Sequence, residues 1–282
     1  MMPTCICCES SSLNTTYANL LVCSRCGHMC ANTSLSDAEM EALYSDQYFR
    51  GKEYGDYIAD KIVLQRNFSN RIKQMQQRLP DLSALSLLEV GCAYGFFLEA
   101  AKPYFRQVRG VDLAEGVVEY GRTQLGVEAI AGNFLELDET SFRSDVVCMW
   151  DTIEHLRSPD AFTSKAARLI PEGGFLFLTT GDVSSINARW RREKWRLIHP
   201  PTHLHYFGKA SITALLERQG FDICEISHVG FYRSLGNTFS NLLRRAPSSS
   251  RYQWLFKLRF CFYLNLYDIM YVVARKRRVM IV

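Results

Sequence analysis

Three groups of residues in this 282-residue chain have types and spacings that could do chemistry. The first is Glu89, Gly91 and Gly95 within LLEVGCAYGFFLE, residues 87–99. A short apolar run meets a glycine-rich turn, and a helical pattern begins at Phe96. Strand, tight loop and helix in that order can receive a nucleotide-like cofactor at a helix N-terminus. The glycines let the backbone turn sharply and approach a ligand, and Glu89 can take a ligand's ammonium group. The loop lacks the Gly-Lys-Ser/Thr of a phosphate loop and does not follow G-x-G-x-x-G. The second group is Cys5/Cys8 and Cys23/Cys26, two C-x-x-C pairs separated by fourteen residues. Four thiolates in two knuckles suit a closed, tetrahedral structural zinc site. Cys7 could compete with Cys8, and His28 reads as a bystander. The third group is WRLIHPPTHLHYF, residues 195–207, with three histidines among prolines and aromatics. Histidine accepts a proton near neutral pH, so His203 is a candidate base.

These groups need a scaffold, and the surrounding pattern provides one. Strands are expected at 87–91, 108–112, 127–131, 145–150 and 173–180, and helices at 95–104, 115–125 and 160–170. Such alternation predicts an α/β fold with a parallel sheet and right-handed crossovers. The ligand should sit beyond the strands' carboxyl ends, between the first and fourth strands. A sixth strand (221–230) and a closing strand (267–276) flank an insert at 231–266. Apolar and basic residues at helical spacing suggest a helical insert there: core packing, a lid, a dimer face or a membrane-surface helix. Upstream, helices are expected at 36–44 and 60–79, the latter with Phe68, Ile72, Met75 and Leu79 on its apolar side. Between them lies an aromatic stretch, 48–57, that reads as a pocket cover or as packing, and Tyr54 and Tyr57 are candidate catalytic residues on it. The domain reading is a zinc ribbon at 1–35, a helical linker and aromatic lid at 36–80, and the sheet domain at 81–282.

Composition narrows the function classes. The chain is 48% apolar and 22% charged with a net charge of +4, so charge alone implies no nucleic-acid partner. The N-terminal residues do not read as a signal peptide, and no run of about 18 uncharged apolar residues predicts a membrane span. Asn14-Thr15-Thr16 fits a glycosylation pattern but lacks a secretory context. Five of the ten cysteines lie within Cys5–Cys26, which favours metal over disulfides in a cytoplasmic protein. A basic end, Arg275–Arg278, together with the 231–278 region, leaves peripheral membrane contact open. Oligomeric state cannot be read from the sequence.

Val108–Asp112 ends in an acid about 20 residues after the loop, the spacing of a ribose-binding acid. Gly132-Asn133-Phe134 follows the third strand, and the fourth ends in Trp150-Asp151. Together with the glycine turn these resemble the class I S-adenosylmethionine-dependent methyltransferases, over about residues 81–276, with Ala93 where many members carry glycine. The resemblance implies a Rossmann-like, seven-stranded doubly wound sheet. It also implies S-adenosylmethionine at Glu89, Gly91, Cys92, Ala93, Gly95 and Leu113, with Asp112 at the ribose, Asn133 and Phe134 at adenine, and Trp150 and Asp151 near the methionine part.

Pro-x-His-Leu-x-Tyr-Phe at 201–207 is similar to a segment of zinc-ribbon methyltransferases of sugars, in which a Glu-His pair is the base. Here Thr202 stands in place of the Glu. The implied substrate is a nucleotide-linked sugar or glycan unit, methylated on oxygen or carbon. The alternatives are RNA methylation, and metal-assisted O-methylation of a lipid or quinone. For the latter, Asp151, Glu154 and His155 match the acid-x-x-Glu-His segment of the enzymes that O-methylate ubiquinone precursors. A non-enzymatic scaffold is the remaining reading, and the intact Glu89, Gly91, Gly95 and Asp112 speak against it.

Overall fold

The computed structural model describes residues 4–33, 57–58, 60–234 and 261–278. Three short strands open the chain: β1 (Leu13–Thr15), β2 (Leu20–Cys23) and β3 (Met29–Ala31). Helix α1 (Lys61–Arg78) leads into β4 (Ser86–Val90), α2 (Phe96–Ala101), β5 (Gln107–Asp112), α3 (Glu115–Leu125) and β6 (Glu128–Ala131). There follow β7 (Val146–Trp150), α4 (Pro159–Leu169), β8 (Phe175–Gly181), the short α5 (Ile186–Arg191), β9 (His205–Tyr206) and α6 (Lys209–Arg218). The chain closes with β10 (Phe221–His228), β11 (Phe231–Ser234), β12 (Cys261–Leu264) and β13 (Ile269–Lys276).

Seven strands form one sheet in the order β10-β13-β8-β7-β4-β5-β6. The five strands from β8 to β6 are parallel, and β13 lies antiparallel between β8 and β10. Every residue of β4 and β7 is buried, because helices cover both faces. On one face Leu88, Val90, Val147 and Met149 pack with Leu215 and Phe207; on the other Leu87, Cys148 and Phe177 pack with Ile72 and Met75 of α1. Local signals fix the ends of the helices. Pro159 begins α4 without losing a needed hydrogen bond, and Gly126, with φ 61°, closes α3 in the left-handed conformation.

The alternation read from the sequence matches this sheet to within about two residues at most strand ends. Two features differ. The insert expected to be helical from 231 to 266 begins and ends as strand, with β11 and β12 paired from Phe231↔Leu264 to Ser234↔Cys261. Residues 235–260 between them, the 36–44 helix and Tyr54 lie outside the described residues. Paired aromatic side chains, Phe231 and Tyr232 against Phe262 and Tyr263, suit a strand and carry no helical period, which explains the misreading of the insert's ends. The second difference is β9, a pairing that no local pattern announces. It joins the N-terminal strands in a second sheet, β1-β2-β3-β9.

That pairing sews the cysteine-bearing segment into the main body. Met29↔Tyr206 and Cys30↔His205 are in register, and Ala31 donates to the Leu204 carbonyl at 2.8 Å. Arg218 on α6 donates to the carbonyls of Ile6 and Cys7 and pairs with Glu9. Cys5, Cys7 and Cys23 are buried in the same core as Leu215 and Phe207. Among the described residues no helix is long and apolar enough to cross a membrane.

Candidate functional site

The turn after β4 is built to leave its ligand side open. Gly91 has φ 78°, and a Cβ there would stand 2.6 Å from the Thr152 side chain, so only glycine lets the β4 and β7 ends meet. The turn is held from the next strand. Gly91 and Cys92 donate to the Val111 carbonyl, and the Asp112 carboxylate accepts from the amides of Ala93 (2.8 Å) and Ala114 (3.0 Å). Asp112 therefore braces the turn, and each of its oxygens keeps a lone pair for a ligand. Ala93 sits at φ 44° and Gly95 at φ 77°. Left-handed backbone costs a residue with a Cβ about 1–2 kcal/mol. Ala93→Gly is therefore expected to raise stability by about 1 kcal/mol, seen as a higher urea midpoint at unchanged slope.

Two buried groups, an acid on β4 and a cation on α1, lack full hydrogen bonding. Glu89 is 3% exposed and its Oε2 has no hydrogen-bond partner. Burial, and then the Asp112 charge, push its carboxyl well above the ordinary range. Arg71, on α1, is 4% exposed. Its guanidinium lies over the rings of Phe231 (5.2 Å) and Tyr271 (5.7 Å), Nη1 donates to Gln74, and Nη2 has no partner. Trp150 lies edge-on to Phe97 and stacked on Tyr271, its Nε1 also unpartnered. Asp151, at φ 50°, donates its amide to Thr179. Burial raises its carboxyl, opposed chiefly by Arg71. Buried polar groups without partners are uncommon in folded proteins, so Glu89, Arg71 and Trp150 are candidates for contact with a ligand. Sequence reasoning missed Arg71. The signal was there: it stands three residues after Phe68 and four before Met75, on the helix stripe that should be apolar.

The other residues expected at this site are dispersed around it. Cys92 turns its sulfur inward against Gly110 and offers only backbone. Leu113 is 51% exposed beside Asp112. Asn133 uses its side chain to cap the turn, accepting from the Leu135 amide. The Phe134 ring, expected against adenine, is turned into the core against Phe162, with the Lys165 ammonium over it. Tyr57 stacks on Tyr94 and Phe96, 5.5 Å from each, so it covers the outer side of the glycine turn.

The third region lies beyond β7 and β8. Glu154, His155 and His203 point one ligand atom each into a group within 4.8 Å of one another. The backbone brings them together: the amides of Leu204 and His205 both donate to the Glu154 carbonyl. His155 donates Nδ1–H to the Thr202 carbonyl (2.8 Å) and His203 donates Nδ1–H to the Leu197 carbonyl (3.0 Å). Each imidazole is thereby fixed with Nε2 as its lone-pair nitrogen. Burial lowers His203 to about 2 and His155 to about 4, so both are neutral at physiological pH, and burial lifts Glu154 to about 8. Thr202 leaves His203 without a sequence neighbour of acidic type, and Glu154 supplies one in space. Asp151, expected to join Glu154 and His155 around a metal, is not in this group. It faces Arg71 and Thr179, and His203 takes the third place.

At the N-terminus the Cys5–Cys26 and Cys8–Cys23 sulfur pairs are each 3.6 Å apart, and all four sulfurs lie within 4.8 Å. A tetrahedron with zinc–sulfur arms of about 2.3 Å has edges of about 3.8 Å, so the tetrad fits zinc. Cys7 and His28 form a second possible group with Cys5, and His28 Nε2 lies 3.2 Å from His205 Nδ1.

Comparison with known proteins fits this geometry. The family described as "Methyltransferase domain" matches residues 64–226, more than half of the chain. A ubiquinone biosynthesis O-methyltransferase of Leptothrix cholodnii is 31% identical over 118 residues, which are 39% of this chain and 50% of that protein. The chain thus spans about half the length of the curated relatives it matches. The magnesium protoporphyrin IX methyltransferase of Synechocystis PCC 6803, solved with bound S-adenosylhomocysteine, superposes with a TM-score of 0.55 at 14% identity. That match covers 86% of this chain and 100% of that one. The cyclase SpnF superposes at 0.53 with 17% identity, covering 74% of this chain and 81% of that one, and at such identities the likeness is one of fold.

Proposed function

The chain belongs to the methyltransferase domain family, and from that premise we propose that it transfers a methyl group from S-adenosylmethionine to a small molecule. One observation carries the proposal: an acid, Glu89 on β4, and a cation, Arg71 on α1, are both buried, and each keeps an atom, Oε2 and Nη2, without a hydrogen-bond partner. The amino-acid end of S-adenosylmethionine is a zwitterion, and these two charges fit its ammonium and its carboxylate. Gly91 and Gly95 give the backbone room, Asp112 takes the ribose hydroxyls, and the exposed Leu113 packs on adenine. Bound there, the cofactor supplies a methyl group already activated by its sulfonium.

The protein's remaining task is to place a nucleophile in line and remove its proton. His203 does the latter. Its Nδ1–H is held by Leu197, so Nε2 accepts the acceptor's proton, and Glu154 lies beside it, within 4.8 Å. His203→Ala is expected to lower kcat by about 10²- to 10⁴-fold while leaving cofactor affinity unchanged. Full turnover in that variant would remove His203 as the base. A nucleotide-linked sugar or glycan unit is the proposed acceptor, supported by the resemblance of residues 201–207 and by the spatial Glu154–His203 pair that stands in for a sequential one. Zinc is proposed at Cys5, Cys8, Cys23 and Cys26 as a structural ion.

A second reading is favoured by the fixed tautomers of His155 and His203. Two imidazoles and a carboxyl group whose ligand atoms lie within 4.8 Å of one another also suit a divalent cation that orients an oxygen acceptor, in keeping with the O-methyltransferase names of the curated relatives. Turnover that is abolished by EDTA and restored by magnesium or manganese selects this reading. Turnover indifferent to EDTA, in protein that retains its zinc, selects the proton-transfer reading. The experiment that tests the class itself is calorimetry with S-adenosylmethionine and S-adenosylhomocysteine. Micromolar binding is expected, and no binding at millimolar cofactor would sink the proposal.

A further inference from the structure

The loop that carries His203 also walls a cleft of about 950 Å³, through Trp195 and Arg196. Arg191, Arg196, Lys209 and His228 line it as well. Two carboxylates border the cleft, and both are already engaged. Asp182 is 1% exposed and accepts from the Ser184 amide and hydroxyl and from His228 Nε2 at 2.8 Å. Asp268, also 1% exposed, accepts from Asn187, from Trp195 Nε1 and from Arg196 at 2.9 Å. Arg191 donates Nε to Asn187, and Lys209 has no polar partner among the described residues. Positive charge in the cleft therefore exceeds the negative charge free to meet it. The rim is apolar: Ile186 is 88% exposed and Tyr267 is 67% exposed. Arg196 ties the cleft to the chemistry, since its charge acts on both Asp151 and His203.

We propose that this cleft binds the phosphoryl group of the methyl acceptor, so that the substrate is a phosphorylated small molecule or lipid. The inference rests on the methyltransferase reading for the word acceptor, but the site itself does not. Arg191 and Lys209, neither paired with a carboxylate among the described residues, suit a polyanion better than a single carboxylate, and each contact with phosphoryl oxygen is charge-assisted. Ile186 and Tyr267 then pack on the apolar or planar part of the same molecule.

The test uses the full chain loaded with S-adenosylhomocysteine. It is titrated calorimetrically with inorganic pyrophosphate at constant ionic strength. Saturable binding is expected, at least tenfold weaker in the double variant Arg191→Ala/Lys209→Ala, which keeps its S-adenosylhomocysteine affinity. Flotation with vesicles of phosphatidylglycerol, against phosphatidylcholine, separates the two sources of the phosphoryl group. Vesicle binding that the double variant loses assigns a lipid headgroup, and pyrophosphate binding without vesicle binding assigns a soluble phosphate. Absence of both, or equal binding by the variant, overturns the proposal. Tighter, length-dependent binding of a ribo-oligonucleotide overturns its small-acceptor form. Failure of S-adenosylhomocysteine to bind while pyrophosphate still binds would count against the cofactor reading alone.

Discussion

Arg71→Met is expected to weaken S-adenosylmethionine binding by about 30-fold or more, because removing one partner of a buried charge pair costs about 2–5 kcal/mol and every 1.4 kcal/mol is tenfold. Methionine fills the space between Phe231 and Tyr271 without a charge, so the helix should still pack. Glu89→Gln tests the other end of the zwitterion and should separate affinity from stability. Burial raises the Glu89 carboxyl, so the folded, ligand-free protein holds a proton that the unfolded chain releases. Such a group stabilises the fold below the ordinary carboxylate pKa, and the contribution is lost as pH rises through the elevated one. The glutamine variant should therefore be more stable than the parent at the alkaline end of the range while binding cofactor at least about tenfold more weakly. An ammonium ligand favours the ionised Glu89, so affinity in the parent should climb with pH and calorimetry should show proton release. Parent-like affinity in Arg71→Met or Glu89→Gln would remove that residue from the cofactor site.

Loss of the N-terminal metal should have the widest structural effect. Cys26→Ser breaks a tetrad whose geometry suits zinc, and zinc sites of this kind supply about 10–16 kcal/mol of binding free energy that is coupled to folding. In a separate ribbon the damage would stay local. Here β3 pairs with β9, His28 contacts His205, and Cys5, Cys7 and Cys23 share a core with α6. The variant is expected to lose one zinc equivalent by elemental analysis and to unfold several degrees lower. Faster hydrogen exchange should extend to residues 203–207, which include the proposed base. A variant that keeps its zinc and its Tm would show that the tetrad is not the metal site.

The sequence by itself determined the scaffold and the local motifs. Short apolar runs alternating with helical patterns are short-range signals, and they placed β4 to β8 and their helices. The glycine turn, Asp112 and the two cysteine knuckles were legible for the same reason: each is a cluster within a few residues whose spacing is its geometry. What only the tertiary structure decided involves partners far apart in the chain. Arg71 is a helix residue until α1 lies across β7 and β13 and leaves its Nη2 buried without a bond. Glu154 and His203 are 49 residues apart and meet because the Glu154 carbonyl takes the amides of Leu204 and His205. The same closure joins β9 to β3 and makes the cysteine unit a wall of the main core rather than an appendage. Hydrophobic periodicity reports which face of an element is buried, but not which other element covers it, and at this site the covering elements carry the charges.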